Sequence, residues 1–277
     1  MYTKDDLYKQ LQELGVPQDG LIHVHTSLKA IGDVEGRGEG VLDVLIRYAT
    51  EEGGLLTVPT HTWKNLQDLT QPTMDLSNPI TSIGKLPDLA AAHPGGHRSH
   101  HPTHSMAAFD GAALDAGAPD TQGRAAVFSR SDDDSKTSTS PDGCYGQIYR
   151  EGGKILLIGV THNRNTFMHC AEEILDVPNR LSDELVAATM KLRSGEIVPR
   201  PIHCHSAVGI RDVSARFPKY EPAFRMHGLI KDGCFGDATV RLCDARGMVD
   251  VMQLIYDRSE GIELLADDEP IDPRFYS

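Results

Sequence analysis

LIHVHTSLKAIGDVEGRGEGVLDVLIRYATEEGGLLTVP, residues 21–59, is the stretch that decides the fold. An apolar strand, Leu21 to Val24, runs into His25-Thr26-Ser27-Leu28 and then into a glycine-rich turn. A helix begins near Gly40 and runs through VLDVLIRYAT. Gly53-Gly54 ends it, and LLTVP, Leu55 to Pro59, reads as a second strand. Strand, glycine turn, helix and strand in so short a span form a βαβ unit, which implies a parallel strand pair and a right-handed crossover. Backbone amides in the turn and the helix dipole suit a phosphate, and Lys29 and Arg37 add positive charge. The stretch matches neither GxGxxG nor GxxxxGK[ST], so an ordinary strand-to-helix turn is the simpler reading of it alone.

On the N-terminal side, Leu7, Leu11 and Leu14 share one face of a helix expected over residues 3–14. On the C-terminal side the pattern predicts a helix at 86–92, a loop over HPGGHRSHHPTHS (93–105) and a strand at MAAF. A solvated, mobile loop is expected over 130–141 and a short helix over 144–150. KILLIGV is the clearest strand. A helix is expected from Asn165 to Ile174, with Asn165 or Thr166 as N-cap. An antiparallel hairpin is expected over Val186–Leu192 and Ile197–His205, then a helix at 223–230, a strand at DATVRLCD, a helix at 246–256 and an acidic tail. The expected class is α/β: a central, mainly parallel sheet with flanking helices and an antiparallel C-terminal addition. One domain, 1–277, is expected, with a possible substrate-side subdomain at about 181–230.

The chain has 277 residues and a net charge of −13, which disfavours nucleic acid or an anionic membrane as partner and suits a cationic ligand. No apolar run reaches the ~20 residues of a membrane helix, and MYTKDDLYKQLQELG lacks the core of a secretory signal. A cytoplasmic location is therefore expected. Five cysteines without a CxxC pair read as free thiols, mostly buried.

Three further segments carry chemistry. RSHHPTHS (98–105) offers an arginine, histidines and hydroxyls for a cleft wall. In THNRNTFMHCAEE, His169 and Glu172 are i and i+3 on one helix face, and Glu173 is i+4. This pair follows a buried strand, where α/β proteins place ligands. His203 and His205 alternate in PRPIHCHS, as His23 and His25 do in LIHVH. Such HxH pairs raise a zinc hydrolase as a rival, although neither HExxH nor HxHxDH occurs. No metal is expected.

Together these segments resemble the aminoglycoside 3-N-acetyltransferase family. HTSLKAIGDVEG matches its H-[ST]-S-L-x-x-[IL]-G-x-V-x-G element. GGLLTVPTHT, RSHHPTHS, SPDGCYG and GGKILLIGVTHNRNTFMHCAEE match the later elements, in family order, over most of the chain. The resemblance implies direct acetyl transfer from acetyl-CoA to the 3-amino group of a 2-deoxystreptamine aminoglycoside, a small cationic amine. It makes His169 the general base and puts His25 beside the thioester. It implies that Thr26, Ser27, Leu28 and Lys29, with Arg98, His101 and Ser105, hold the CoA.

The chemistry agrees: only a free amine attacks a thioester, and an imidazole with a pKa near ~6.5 is suited to take its proton. Glu172 is the expected orienting carboxylate by spacing, and donors near Thr26 and Ser27 would meet the developing oxyanion. The family's acid on a later strand is replaced here by the histidines of PRPIHCHS. That places Glu173, His203 and His205 on the substrate side and leaves another small amine as the alternative substrate. Asp132 and Asp133, in SDDDS, are candidate contacts for amino groups, a solvated loop being the simpler reading. A CoA-binding sensor without turnover is the third possibility. The oligomeric state is not legible.

Overall fold

The structure is a computed structural model and describes residues 1–68, 70–114, 121–205, 212–261 and 269–277. Ten strands are described: β1 (Leu21–Thr26), β2 (Leu55–Pro59), β3 (Met74–Asp75), β4 (His97–Arg98), β5 (Met106–Phe109), β6 (Lys154–Ile158), β7 (Thr189–Lys191), β8 (Ile197–Pro199), β9 (Ile230–Phe235) and β10 (Ala238–Asp244). The described helices are α1 (Lys4–Leu14), α2 (Leu28–Ile31), α3 (Arg37–Thr50), α4 (Lys85–Ala92), α5 (Arg124–Ser129), α6 (Cys144–Arg150), α7 (Phe167–Ile174), α8 (Glu221–Met226) and α9 (Ala245–Ser259). None of them is long and apolar enough to cross a membrane.

Seven strands form the main sheet in the order β4-β5-β2-β1-β6-β10-β9. The βαβ reading of residues 21–59 holds: β1 pairs in parallel with β2, Leu21 opposite Leu55, and on its other side with β6, His25 opposite Leu157. The remaining pairs of this sheet, β2–β5, β4–β5, β6–β10 and β9–β10, are antiparallel. The fold is therefore α/β with a parallel centre. The expected C-terminal antiparallel strands are matched by a second antiparallel pair on the other edge.

Alternation explains why β1 and β6 are apolar almost throughout. Leu21, Ile155 and Leu157 face one core, while Ile22, Val24, Leu156 and Ile158 face the other. Both faces of a parallel centre are covered, so both must be apolar. Leu7, Leu11 and Leu14 of α1, the apolar stripe of α3 and Leu86 of α4 cover one face. Residues of α5 to α9 cover the other. Thr3 caps α1 in a reciprocal pair with Asp6, and Gly15 ends it at φ +74°.

Several expectations are corrected. The stretch 130–141 is not a solvated loop: Asp132, Ser135, Ser138 and Thr139 are buried. Neither Asn165 nor Thr166 caps α7 with its side chain. The helix expected to reach Ile230 stops at Met226, and Ile230 opens β9. The hairpin β7–β8 forms, but with β3 as a separate three-stranded sheet. The stretch 181–230 is thus divided. Its hairpin lies in the small sheet, whereas Val213, Phe217, Tyr220 and Phe224 pack into the main core. Of the acidic tail expected after Tyr256, residues 262–268 lie outside the described residues, while α9 runs on to Ser259 and Ile271 and Tyr276 pack into the main core.

Candidate functional site

Parallel pairing brings the carboxyl ends of β1, β2 and β6 to one edge of the sheet. The helices preceding β2 and β6, α3 and α6, pack on opposite faces, so the crossovers diverge and leave a crevice there. A cleft of about 1260 Å³ occupies it, walled by residues 24–29 at the end of β1, His61 and Trp63 after β2, and residues 159–161 and 163–166 after β6.

The backbone of the first wall is tightly fitted. Ser27 N donates to Ile158 O at 2.9 Å. Gly159 sits at φ +64°, and a Cβ there would lie 2.4 Å from Cβ of Ala30 in α2. Glycine both adopts this conformation without strain and lets α2 approach. The helix opening beside the cleft is α2, not the longer α3 expected from the glycine-rich turn. Gly36 instead packs on the backbone of Gly40, and Gly40 on the carbonyl of Glu35.

His25 lines the cleft at 6 % exposure. Its tautomer follows from a chain of bonds. Thr57 Oγ1 donates to Ile22 O, so it accepts from Nδ1–H of His23 at 2.9 Å. His23 Nε2 then accepts from Nε2–H of His25 at 3.1 Å. That leaves Nδ1 of His25 bare. Burial pulls His25 down to about 3, so the ring is neutral.

His169 faces the same cleft from α7. Its Nδ1 is 3.4 Å from Oε2 of Glu172, and Oε1 of Glu172 accepts from Arg180 Nε at 3.0 Å. With Nδ1 turned to the carboxylate, Nε2 is the ring atom left for a ligand. The ordinary imidazole expected from the sequence is not what the fold makes. Burial takes His169 down to about 4, against Glu173 and Asp212, which raise it, while burial pushes Glu172 up to about 7.

His205 lies face to face with His169, ring centroids 4.0 Å apart and planes 25° apart. Thr139 Oγ1 donates to Glu173 Oε1 at 2.6 Å and so accepts from Nε2–H of His205 at 3.0 Å. Nδ1 of His205 is therefore bare. Burial takes His205 down to about 4, helped by His169 and opposed by Glu173 and Glu172. Burial also works to raise Glu173. Hydrogen bonds involving His205, Thr137 and Thr139 outweigh it and hold the carboxylate below the ordinary range.

Thr26, Ser27, Leu28 and Lys29 all line the cleft. Three other expected CoA ligands do not line it. Arg98 is buried with its guanidinium committed: Nη1 to Asn78 O at 2.8 Å, Nη2 to Thr60 O at 3.0 Å, and Nε toward Thr60 Oγ1 and Ser105 Oγ. It stitches strand ends together and has no fork left for a phosphate. Ser105 donates to Thr60 O at 2.9 Å. His101 donates from Nε2 to Thr137 O and accepts the amides of Thr103 and His104 at Nδ1.

The expected substrate contacts divide similarly. Asp132 is buried, accepting from Ser99 Oγ and from the Cys144 amide at 2.9 Å, so it builds the wall rather than meeting a ligand. Asp133 pairs with His100 at 3.3 Å, away from the cleft lining. Glu173 stands behind His205. His203 is tied to Ser182 O at 2.7 Å and does not line the cleft, although His205 does.

Two further histidines line the cleft: His61, which the sequence reading missed, and His104, which belongs to the RSHHPTHS segment expected as a cleft wall but was not named among the site residues. His61 follows β2 at the same sheet edge and bonds Tyr145 Oη at 2.8 Å. His104, set by its amide bond to His101, lies between His61 (4.6 Å) and His205 (5.0 Å). The signal was available: His61 stands just beyond the carboxyl end of a parallel strand, as His25 does.

Lys29, Lys64, Lys85 and Arg164 line the cleft, and no carboxylate does among the described residues. Nor, among them, are three His, Cys, Asp or Glu side chains placed to hold a metal ion, so the HxH pairs do not assemble the ligand set of a zinc hydrolase.

Comparison with known proteins supplies the family. Residues 23–256 match the profile of the family described as aminoglycoside 3-N-acetyltransferase. The aminoglycoside N(3)-acetyltransferase VII of Streptomyces paromomycinus is 28% identical over 271 residues, spanning 90% of this chain and 89% of that protein. Two solved structures share the fold. AAC-VIa bound to sisomicin superposes with a TM-score of 0.70 at 23% identity, covering 90% of this chain and 95% of that one. The AAC-IIIb binary complex with CoASH superposes with a TM-score of 0.71 at 19% identity, covering 90% and 93%. With the profile spanning most of its length, the chain belongs to the aminoglycoside 3-N-acetyltransferase family, a family of acetyltransferases.

Proposed function

We propose that the protein transfers the acetyl group of acetyl-CoA directly to an amine of an aminoglycoside, the 3-amino group of 2-deoxystreptamine, with His169 as general base. The observation that carries this reading is that His25 and His169 line one cleft, His25 with Nε2 bonded to His23 and His169 with Nδ1 3.4 Å from the Glu172 carboxylate, so that each keeps a second ring nitrogen turned from these partners.

The residues fit the cosubstrate. Lys29, Lys64, Lys85 and Arg164 supply positive charge for its phosphates, and a cleft of about 1260 Å³ has room for an extended ligand. When bound, acetyl-CoA supplies an activated acyl carbon and a thiol leaving group. His169 Nε2 takes the amine proton as the C–N bond forms and hands it to the departing sulfur. Glu172, 3.4 Å from Nδ1, balances the transient imidazolium. The hydroxyls of Thr26 and Ser27, which line the cleft, would donate to the charge that develops on the carbonyl oxygen, the Ser27 amide being spent on Ile158 O.

One observation favours a second reading, a smaller amine with fewer charges. Four cationic side chains and no carboxylate line the described cleft, which repels a polycation. A thiol-release assay with acetyl-CoA tests both readings. The panel pairs kanamycin- and gentamicin-class amines with monoamines. Turnover with the aminoglycosides supports the first reading, and turnover with monoamines alone supports the second. Folded protein that releases CoA with none of them defeats acetyl transfer.

A further inference from the structure

We propose that His205 is a second base of the same cleft, taking the first proton from the incoming ammonium, while His169 takes the second. This inference rests on the acetyl-transfer reading above.

The proton count asks for two acceptors. An amine arriving as RNH3⁺ leaves as the amide RNH–CO–CH3, so two protons depart from nitrogen while one C–N bond forms and one C–S bond breaks. One proton ends on the sulfur of CoASH and the other goes to water. A single imidazole that hands its proton to sulfur accounts for only one of them.

The structure offers two acceptors side by side. His169 and His205 both line the cleft, stacked with ring centroids 4.0 Å apart, so one nitrogen can reach either ring. Each has its own carboxylate behind it, from consecutive residues of α7. Glu172 approaches His169 Nδ1 at 3.4 Å, and Glu173 approaches His205 Nε2 at 3.7 Å, joined to it through Thr139 Oγ1. Both carboxylates are nearly excluded from solvent, with side chains 2% and 4% exposed. Two adjacent imidazolium charges would repel one another. Glu173, held below the ordinary carboxylate range, offsets that repulsion, and an imidazolium on His169 favours ionisation of Glu172 beside it.

The bond chain also assigns the atoms. Nε2 of His205 carries its hydrogen toward Thr139, so Nδ1 takes the ammonium proton and returns it to water when product leaves. Nε2 of His169 takes the second proton and delivers it to sulfur. His205 also faces His104 at 5.0 Å, with His61 and His101 beyond it, and these histidines are held neutral mainly by burial. Arg180 stands behind Glu172. Burial lowers His205 itself, but it lowers the pKa of an ammonium brought beside it for the same reason, so transfer between them survives the desolvation.

The test is the pH dependence of His205→Phe, which keeps an aromatic ring against His169 and removes the base. Near pH 7 its kcat/KM is expected to fall by about 10²-fold. The deficit should shrink to a few-fold as pH rises through the amine's own pKa, because the substrate then arrives already deprotonated. His169→Ala should show no such recovery. A ring that merely supports His169 would produce the same deficit at every pH, and that result overturns the proposal. Glu173→Gln should show the same pH-dependent pattern at smaller amplitude, and it serves if His205→Phe misfolds. Should the unmodified enzyme acetylate no amine, the acetyltransferase reading falls and this inference with it. A pH-independent deficit in an active background defeats this inference alone.

Discussion

Glu172 divides its carboxylate between two neighbours: Oε2 stands 3.4 Å from Nδ1 of His169, and Oε1 accepts from Arg180 Nε at 3.0 Å. The arginine fixes the carboxylate and leaves Oε2 beside the ring, without a hydrogen bond of its own. Replacement of His169 by alanine is expected to lower kcat by about 10²-fold or more. CoA affinity should change by no more than about twofold, since the ring lies at the reacting end of the ligand. Steady-state kinetics and calorimetric titration with CoA measure the two quantities. Near-normal turnover would refute the assignment of the base.

Asp132 separates a wall from a ligand contact. Its buried carboxylate accepts from Ser99 Oγ and the Cys144 amide. Asp132→Ala should cost about 2–4 kcal/mol of stability, because those donors lose their acceptor away from water. KM for the amine should stay within about twofold of the parent value at a temperature where the variant is folded. A large rise in KM with unchanged Tm would restore Asp132 to the substrate side.

Gly159→Ala tests the fit of α2 against β6. The residue has φ +64°, and the added methyl meets Ala30 at 2.4 Å. A cost of about 2–4 kcal/mol is expected from the left-handed backbone and the displacement together. Because residues 26–29 move with α2, Kd for CoA should rise at least about fivefold. Unchanged CoA binding in the folded variant would show that this wall does not touch the cosubstrate.

Acid should destabilise the protein well above the carboxylate range. Burial lowers His23, His25, His61, His104, His162, His169 and His205, three of them to about 4. A base depressed in the folded state contributes stability that is complete above its unfolded value near ~6.5 and is lost as pH falls toward the folded value. Glu172, raised to about 7, has the opposite sign: its contribution is complete below its unfolded value and is lost as pH rises through about 7. Seven groups outweigh one. Each histidine at about 4 corresponds to about 3 kcal/mol. Tm should therefore fall by about 20 °C or more between pH 6.5 and 4. A flat Tm over that interval, by calorimetry, would contradict neutral burial of the cluster.

Much of this molecule is written in short-range pattern. The apolar runs at 21–24, 55–59 and 154–158, with the turns between them, specify parallel strands covered on both faces. From that alone it follows that His25 and the segment after Val160 meet at one sheet edge. The spacing of His169 and Glu172 on one helix is equally local, and so is the capped helix at 4–14. β9 escaped because an exposed edge strand carrying Lys231, Asp232 and Gly233 lacks the apolar alternation that marks a buried one. The loop at 130–141 was misjudged because its polar residues are satisfied by partners far away in sequence, such as Ser99 and Glu173.

The sequence by itself determined the class of the fold, the sheet edge at which the cleft opens and the nearness of His169 to Glu172, because each depends on periodicity within one element or two adjacent ones. Only the tertiary structure decided that Arg98 and Asp132 build walls, that His61 and His104 join the cleft, and that His205 stacks on His169. Those outcomes depend on which distant groups close each hydrogen bond and on how much water burial removes, and neither is a property of any single stretch of chain.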